Sequence, residues 1–372
     1  MLPKPVIGIL TWRQGQRFGE PDYLRKLVLA GQKLGAEIYL FSHQDVNMKE
    51  KKIKGFLPKA GGGWSSRWFP WPQVVIDRYR RRVPEYIRLR NSDLLFFANS
   101  PFSKKWRVTQ LLAKDRRVMH WIPETHLYEK KRVATMLSKY PLVYVKPGNG
   151  SGGKSILRIS AKGKEFSLSG RDKQYQTHTA KLDSVSAVEN WVGRWVVEQQ
   201  IADGNFLVQQ GIDLGLIPNH VADVRVLIQK DQAGEWRVTG SGVRIGEAGS
   251  STSNLHGGGR AVSFEGLIEQ RFGKRQAQLI TKECHSLAHE VAKTLEDYFG
   301  RMMEFGLDIG VAVDGSVWLI EVNPKPGREV FRQMGDMVTY AKAIERPVQF
   351  ALHLARKRQT GDVGQREQRV RV

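Results

Sequence analysis

Of 372 residues, 41% are apolar and 26% charged, and Lys plus Arg (59) outnumber Asp plus Glu (37), for a formal net charge of +22. A chain of this kind folds around buried cores in two to three domains, which excludes a disordered polymer. The single Cys284 excludes an internal disulfide and an all-cysteine zinc site, and no apolar run approaches the ~20 residues a helix needs to span lipid.

The opening residues, Met1-Leu2-Pro3-Lys4-Pro5, lack the basic and long apolar segments of a secretory leader, so a cytoplasmic protein is expected. Val6 to Leu10 is a short apolar run that predicts a buried strand. Asp22 to Leu34 carries Leu24, Leu27, Val28 and Leu34 near helical spacing, and Gly35 closes it. Ile38 to Phe41 predicts the next strand, and the β-α-β order predicts a parallel pair with a right-handed crossover. Ile53 to Ile76 is rich in Gly, Pro and Trp and reads as loop or short hairpin. Leu94 to Phe97 predicts another strand, broken by Asn99-Ser100-Pro101, and a domain boundary is placed there.

Lys104 to Leu112 and Glu129 to Lys139 read as helices, with Trp121 to Thr125 an extended connection between them. Strands are predicted at Leu142 to Lys146, Ile156 to Ile159, Trp195 to Val197 and Phe206 to Val208. Val224 to Gln229 and Trp236 to Thr239 flank the hairpin signal at residues 230–234. Ser250 to Gly259 reads as loop. Gln276 to Phe299 is the longest helix candidate. Ile309 to Val313, Asp314-Gly315 and Val317 to Ile320 form a second hairpin, since Asp-Gly suits the tight primed turn.

The basic excess is uneven. Between Asp77 and Arg90, Arg78, Arg80, Arg81, Arg82, Arg88 and Arg90 face only Asp77 and Glu85. A second basic stretch runs from Arg356 to Val372. A solvated basic surface is the plain reading of both. A nucleic-acid site along Arg78 to Arg90 is the sharper one, but no helix-turn-helix, zinc finger or aromatic RNA-binding signature supports it.

Gly148-Asn149-Gly150-Ser151-Gly152-Gly153-Lys154-Ser155 fits the P-loop pattern letter for letter. The pattern has its mechanism only where a helix begins at the lysine. Ile156 to Ser160 is short and β-branched, which argues against that helix. The alternative is a flap between two antiparallel strands, whose backbone N–H groups fold over nucleotide phosphates. Glycine is required there because a Cβ would hold the backbone off the phosphate oxygens. Lys146 would reach the same phosphates from the preceding strand. A surface loop without ligand is the third reading.

Asp308 opens one strand of the late hairpin, and Glu321-Val322-Asn323-Pro324 ends the other. Glu321 and Asn323 are two apart and leave the same face of an extended chain. Two carboxylates and an amide at one hairpin end suit Mg²⁺, held together with phosphates and waters. A solvated strand end is the plain alternative. Cys284 reads as inert packing. His285 and His289, four apart on one helix, read as a polar face rather than a metal pair, and His256 is a candidate substrate or proton-relay group.

Taken together, Lys105-Trp106, Trp121-Ile122-Pro123-Glu124-Thr125, the run from Val145 to Lys154, Val208-Gln209-Gln210-Gly211-Ile212, Asp223-Val224-Arg225-Val226, residues 252–258, and Asp308 with Glu321-Val322-Asn323-Pro324 resemble the ATP-grasp superfamily. The closer likeness is to its YheC/YheD branch, a name tied to endospore coats, and it covers roughly Val6 to Tyr340. The resemblance implies an α/β (α+β) ATP-grasp fold. A parallel-sheet pre-ATP-grasp domain (1–100) would precede two α+β subdomains (101–207 and 208–355) that clamp ATP between their sheets, with a basic tail at 356–372.

The resemblance also implies roles. Lys105 and Lys146 would bracket ATP beneath the glycine loop of Gly150, Ser151, Gly152, Gly153 and Lys154. Gln209, Gln210, Gly211 and Ile212 would form the adenine hinge, where many relatives carry a carboxylate that this chain lacks. Arg225, Arg244 and Asn254 would face the reacting groups. Asp308, Glu321 and Asn323 would hold one or two Mg²⁺, with Mn²⁺ a substitute. The implied activity is an ADP-forming ligase that activates a carboxylate as an acyl phosphate for an amine or thiol. An ATP-binding, spore-coat-associated structural protein without turnover is the alternative. The implied partners are ATP, an acid and a nucleophile of unknown identity, and a coat component or acidic polymer at the tail, without a membrane span.

Overall fold

The structure is a computed structural model and describes residues 3–150, 153–201, 205–248, 253 and 258–361. Strand Val6–Leu10 lies inside the first sheet, parallel to both Glu37–Phe41 and the edge strand Val74–Asp77. Helix Pro21–Lys33 makes the crossover and turns Leu24, Leu27 and Val28 onto the sheet. Its chain reversal uses Gly35 at φ 86°, a left-handed backbone that costs glycine nothing.

Of two expectations for this region, one resolves to its hairpin alternative and one is corrected. The Gly/Pro/Trp-rich stretch is a regular antiparallel hairpin of Lys52–Pro58 and Trp64–Pro70, followed by strand Val74–Asp77. Ile53, Phe56, Trp64 and Phe69 are buried in it, and Phe69 stacks on Tyr39 with ring centroids 4.4 Å apart. Gly55 is what admits those rings: a Cβ there would lie 2.4 Å from Phe69. Leu94 to Phe97, in turn, is not a strand of the sheet; it contributes a single parallel bridge between Phe97 and Val75.

The second sheet is wholly antiparallel, in the order Thr177–Leu182, Glu165–Arg171, Ile156–Lys162, Leu142–Pro147, Phe206–Gln210, Thr125–Leu127. Helices Lys130–Lys139 and Val185–Gln199 pack on it through Val133, Met136, Val188, Val192 and Trp195. The strand expected at Trp195 to Val197 is therefore helix. Ser184 caps it by accepting from Ala187 N, and Val188, Val192 and Trp195 recur at helical spacing.

The third sheet is antiparallel in the order Arg260–Val262, Trp236–Ile245, Ala222–Lys230, Glu304–Val311, Val317–Asn323. Helix Lys274–Phe299 covers one face and buries Cys284, whose thiol burial pushes up to about 12. The last helix, Met337–Thr360, returns to the first sheet. Ala343, Val348, Ala351 and Leu352 share a core with Ile7, Leu24 and Leu27. The basic stretch from Arg356 thus begins inside this helix. Arg358 donates to Gln73 O (3.1 Å) and lies over the Phe96 ring. Residues 362–372 lie outside the described residues. No described helix is long and apolar enough to cross a membrane.

Candidate nucleotide site between two sheets

A cavity of about 990 Å³ separates the second sheet from the third, and the first sheet's domain closes one end. Register builds its floor. Arg225 pairs with Asp308 and Asp308 with Glu321 across three neighbouring strands, so these three side chains form one row on one face. Asn323 pairs with Gly306, one step along the same face. A bulge follows Asp308 and shifts the register after it.

Charge in this row is closely matched. Arg225 Nε donates to Asp308 Oδ1 at 2.6 Å. Arg244 Nε donates to Asp223 Oδ1 at 2.7 Å, and its terminal nitrogen lies 3.0 Å from Asp308 Oδ2. Asn323 Nδ2 donates to Asp308 Oδ2 at 3.3 Å. Burial alone would raise the Asp308 carboxyl, but Arg225 and Arg244 hold it below its ordinary value, so it stays ionised. Lys105 Nζ reaches over from the start of helix Lys105–Lys114 and lies 2.7 Å from Glu321 Oε1. It also donates to Gly150 O, joining the glycine loop to the carboxylate strand.

On the opposite wall, Lys146 Nζ donates to Gln209 Oε1 (2.6 Å), whose amide nitrogen donates to Thr125 Oγ1 (2.8 Å). Burial in the cavity lowers the Lys146 ammonium to about 8; Glu321 opposes the shift and Lys105 adds to it. The unfolded chain keeps this proton up to about 10.5. The penalty for burying the charge is thus complete below pH 8, and stability rises between pH 8 and 10.5 as the folded state alone loses the proton. Anion binding runs the other way. Affinity for AMP-PNP with Mg²⁺, measured by calorimetry, should fall several-fold from pH 7 to pH 9, and Lys146→Arg should flatten that profile.

The glycine loop hangs between antiparallel strands Leu142–Pro147 and Ile156–Lys162, and no helix begins at Lys154, so the P-loop reading is excluded. Gly148 N donates to Asn205 O (2.8 Å) at the loop's start, and Ser155 Oγ donates to Gln199 Oε1 (2.9 Å) at its end. Gly150, Gly153 and Lys154 line the cavity. Ser151, Gly152, Asn254 and His256 lie outside the described residues.

Of the hinge residues, Gln209 lines the cavity, while Gln210, Gly211 and Ile212 are turned to other tasks. Gln210 exchanges bonds with Glu124 through its backbone N (2.8 Å) and its Oε1 (3.1 Å). Gly211 N donates to Leu142 O at 2.8 Å, an approach so close that a Cβ would lie 2.2 Å from Leu142. Ile212 is buried. His285 and His289 border a separate polar groove with Glu265 and Glu269. Among the described residues no group of three or more His, Cys, Asp or Glu is placed to hold a metal ion.

The expectation that Arg78 to Arg90 form a solvated face holds for Arg80, Arg81, Arg82 and Arg88, which are exposed, and is corrected for Arg78 and Arg90, which are buried. Arg78 is 2% exposed and lines the inner end of the cavity. It pairs with Glu20 (3.0 Å) and Glu304 (3.2 Å) and stacks over Tyr23. Arg80 donates to Lys325 O (2.8 Å), and Arg90 is buried against Asp77. Arg78 and Arg80 fasten the end of strand Val74–Asp77 to the third sheet and to the segment just past Asn323. No local sequence signal marks this, because the partners of Arg78 lie 58 and 226 residues away.

Two antiparallel sheets facing each other across a charged cleft, one bearing a glycine flap and lysine, the other a carboxylate row, define an ATP-grasp protein. The YheC/D-like ATP-grasp family model matches residues 94–354, and the chain belongs to that family. It is 27% identical over 369 residues to the endospore coat-associated protein YheD of Bacillus subtilis (strain 168), across 95% of this chain and 79% of that one. It is 24% identical over 323 residues to YheC of the same strain, across 83% and 86%. Among solved structures, D-cycloserine synthetase DcsG has a TM-score of 0.54 at 12% identity, covering 95% of this chain and 99% of its own. The D-alanine-D-alanine ligase of Coxiella burnetii has a TM-score of 0.52 at 12% identity, covering 96% and 98%. These two are likenesses of fold.

Proposed function

We propose that the protein is an ATP- and Mg²⁺-dependent, ADP-forming ligase that joins a carboxylate to an amine or thiol. The observation that carries this reading is the row Arg225, Asp308, Glu321 facing Lys105 and Lys146 across the cavity. A carboxylate oxygen of the substrate attacks the γ-phosphorus and ADP leaves. The amine or thiol then attacks the acyl carbon and phosphate leaves. Neither step needs a protein nucleophile; both need positioning and neutralised charge.

The residues present supply those needs. Lys146 holds phosphate oxygens from the flap side, and Lys105 does so between flap and floor. Arg225 turns its terminal nitrogens to the transferred phosphoryl group, and Arg244 keeps Asp308 ionised and in place. Asp308, Glu321 and Asn323 fit Mg²⁺, since all offer hard oxygen donors and both carboxylates already sit against cations whose charge a metal would replace. When bound there, Mg²⁺ neutralises the triphosphate. With two carboxylates and one amide from the chain, a bound Mg²⁺ would leave room for phosphate oxygens and water. Of the residues the resemblance places at the adenine end, Gln209 alone lines the cavity and is assigned there; Gln210 to Ile212 would serve the adenine only through their backbone.

The test is ADP release with Mg-ATP against panels of carboxylic acids and amines or thiols. Acid-dependent ADP formation supports a ligase. Tight nucleotide binding with no ADP from any pair supports the second reading, a coat-associated ATP-binding protein, which the relatives' names favour. The nucleic-acid reading keeps an exposed basic patch of Arg80, Arg81, Arg82 and Arg88 but loses Arg78 and Arg90 to the interior and has no groove-reading motif beside it.

A further inference from the structure

Tyr175 has a left-handed backbone, φ 68°, and is the only aromatic residue among the described ones to do so. A bulky side chain is strained in that region, where glycine or asparagine is at ease. The turn around it is fixed from within. Asp172 Oδ1 accepts from Gln174 N (2.8 Å) and Gln176 N (2.9 Å), its Oδ2 bonds His178 Nε2 (2.9 Å), and Tyr175 N donates to Asp172 O (3.1 Å). The hydrogen bonds within this turn call for no ring at position 175.

The ring has a use outside the turn. It is 42% exposed, and Lys154 Nζ lies 4.5 Å from its centroid. Lys154 is the last lysine of the glycine flap and lines the cavity. Arg171 approaches the same ring at 5.7 Å and pairs with Glu247 (3.8 Å), which belongs to the segment following the third sheet's strand Trp236–Ile245. One aromatic ring thus gathers a cation from the flap and a cation tied to the opposite lobe.

We infer that Tyr175 is a positioning residue: its ring holds Lys154 over the cavity mouth, so that an incoming triphosphate meets an ammonium already in place. This rests on the nucleotide site proposed above. A free lysine loses much rotamer freedom when it binds an anion, and pre-placing it reduces that cost.

The probe is AMP-PNP with Mg²⁺, measured by calorimetry on the full chain, with melting temperature followed alongside. Tyr175→Gly should melt no lower than the parent, because the strained backbone is relieved, yet bind about three- to five-fold more weakly. Tyr175→Phe keeps the ring and should bind like the parent. In a Lys154→Met background, Tyr175→Gly should have no further effect on binding. Unchanged affinity in Tyr175→Gly overturns the proposal. So does a Tyr175→Phe loss equal to that of glycine, or a loss that persists without Lys154. Failure of the parent chain to bind AMP-PNP overturns the nucleotide site itself, a result distinct from these.

Discussion

Glu321→Ala is expected to lower Mg²⁺-dependent ATP turnover by at least about 100-fold. The fold should survive. The Glu321 side chain is 33% exposed, on edge strand Val317–Asn323, and its partner Lys105 is similarly exposed. An ion pair of that kind contributes at most ~1 kcal/mol, so the melting temperature should move by about 4 °C or less. Coupled ADP release and circular dichroism melting check the two halves. Full turnover in the variant would show that the carboxylate row does not serve the triphosphate. Glu321→Gln separates charge from shape: if it loses as much turnover as alanine, the negative charge is what matters.

The opposite profile is expected at Glu304. Its side chain is 1% exposed and receives Arg78 (3.2 Å), Arg328 and Gln229 Nε2 (2.8 Å). Arg78 and Arg328 also flank the Tyr23 ring at 4.9 and 4.6 Å. Glu304→Ala leaves two buried guanidinium groups facing each other without that carboxylate. Removing one partner of such a network costs roughly 3–5 kcal/mol. Arg78 keeps Glu20, which places the loss toward the lower end. Urea unfolding should show it as a fall in midpoint. A fall worth less than about 1 kcal/mol would mean that the network does not hold the first domain to the third sheet. Glu304→Gln, which keeps the shape and some hydrogen bonds, should lose less.

Legibility in the sequence followed the range of the interactions. Val6 to Leu10, the helix after it and Ile38 to Phe41 were readable because a local apolar period and Gly35 mark them. The late hairpin was readable in place but not in turn type: only Gly315 takes a positive φ (86°), and Ala312 N donates to Ser316 O, so a loop longer than the two-residue primed turn joins the strands and brings Asp308 beside Glu321. Where two structures share a local pattern, the reading failed. Trp195-Val196-Val197 looks like a strand, and only the longer spacing through Val188 and Val192 marks the helix. The hairpin Lys52–Pro58/Trp64–Pro70 was legible only as one of two readings, loop or short hairpin, because Gly and Pro usually signal loops, although Gly55 and its aromatic neighbours are there to pack closely. Arg78 could not be read at all, since its burial depends on Glu304 and Glu20, remote in sequence. The site's chemistry was legible as residue types; that Gln209, but not Gln210, faces the cavity depends on the direction each side chain takes from its strand.

Helix Met337–Thr360 supplies part of the cover for strand Val6–Leu10, and Lys26 meets Tyr340 across 314 residues of chain. During synthesis, this sheet therefore waits, one side covered only in part by helix Pro21–Lys33, until helix Met337–Thr360 emerges. Its assembly is a late event of high contact order, and the exposed apolar surface in the interval invites aggregation or chaperone capture.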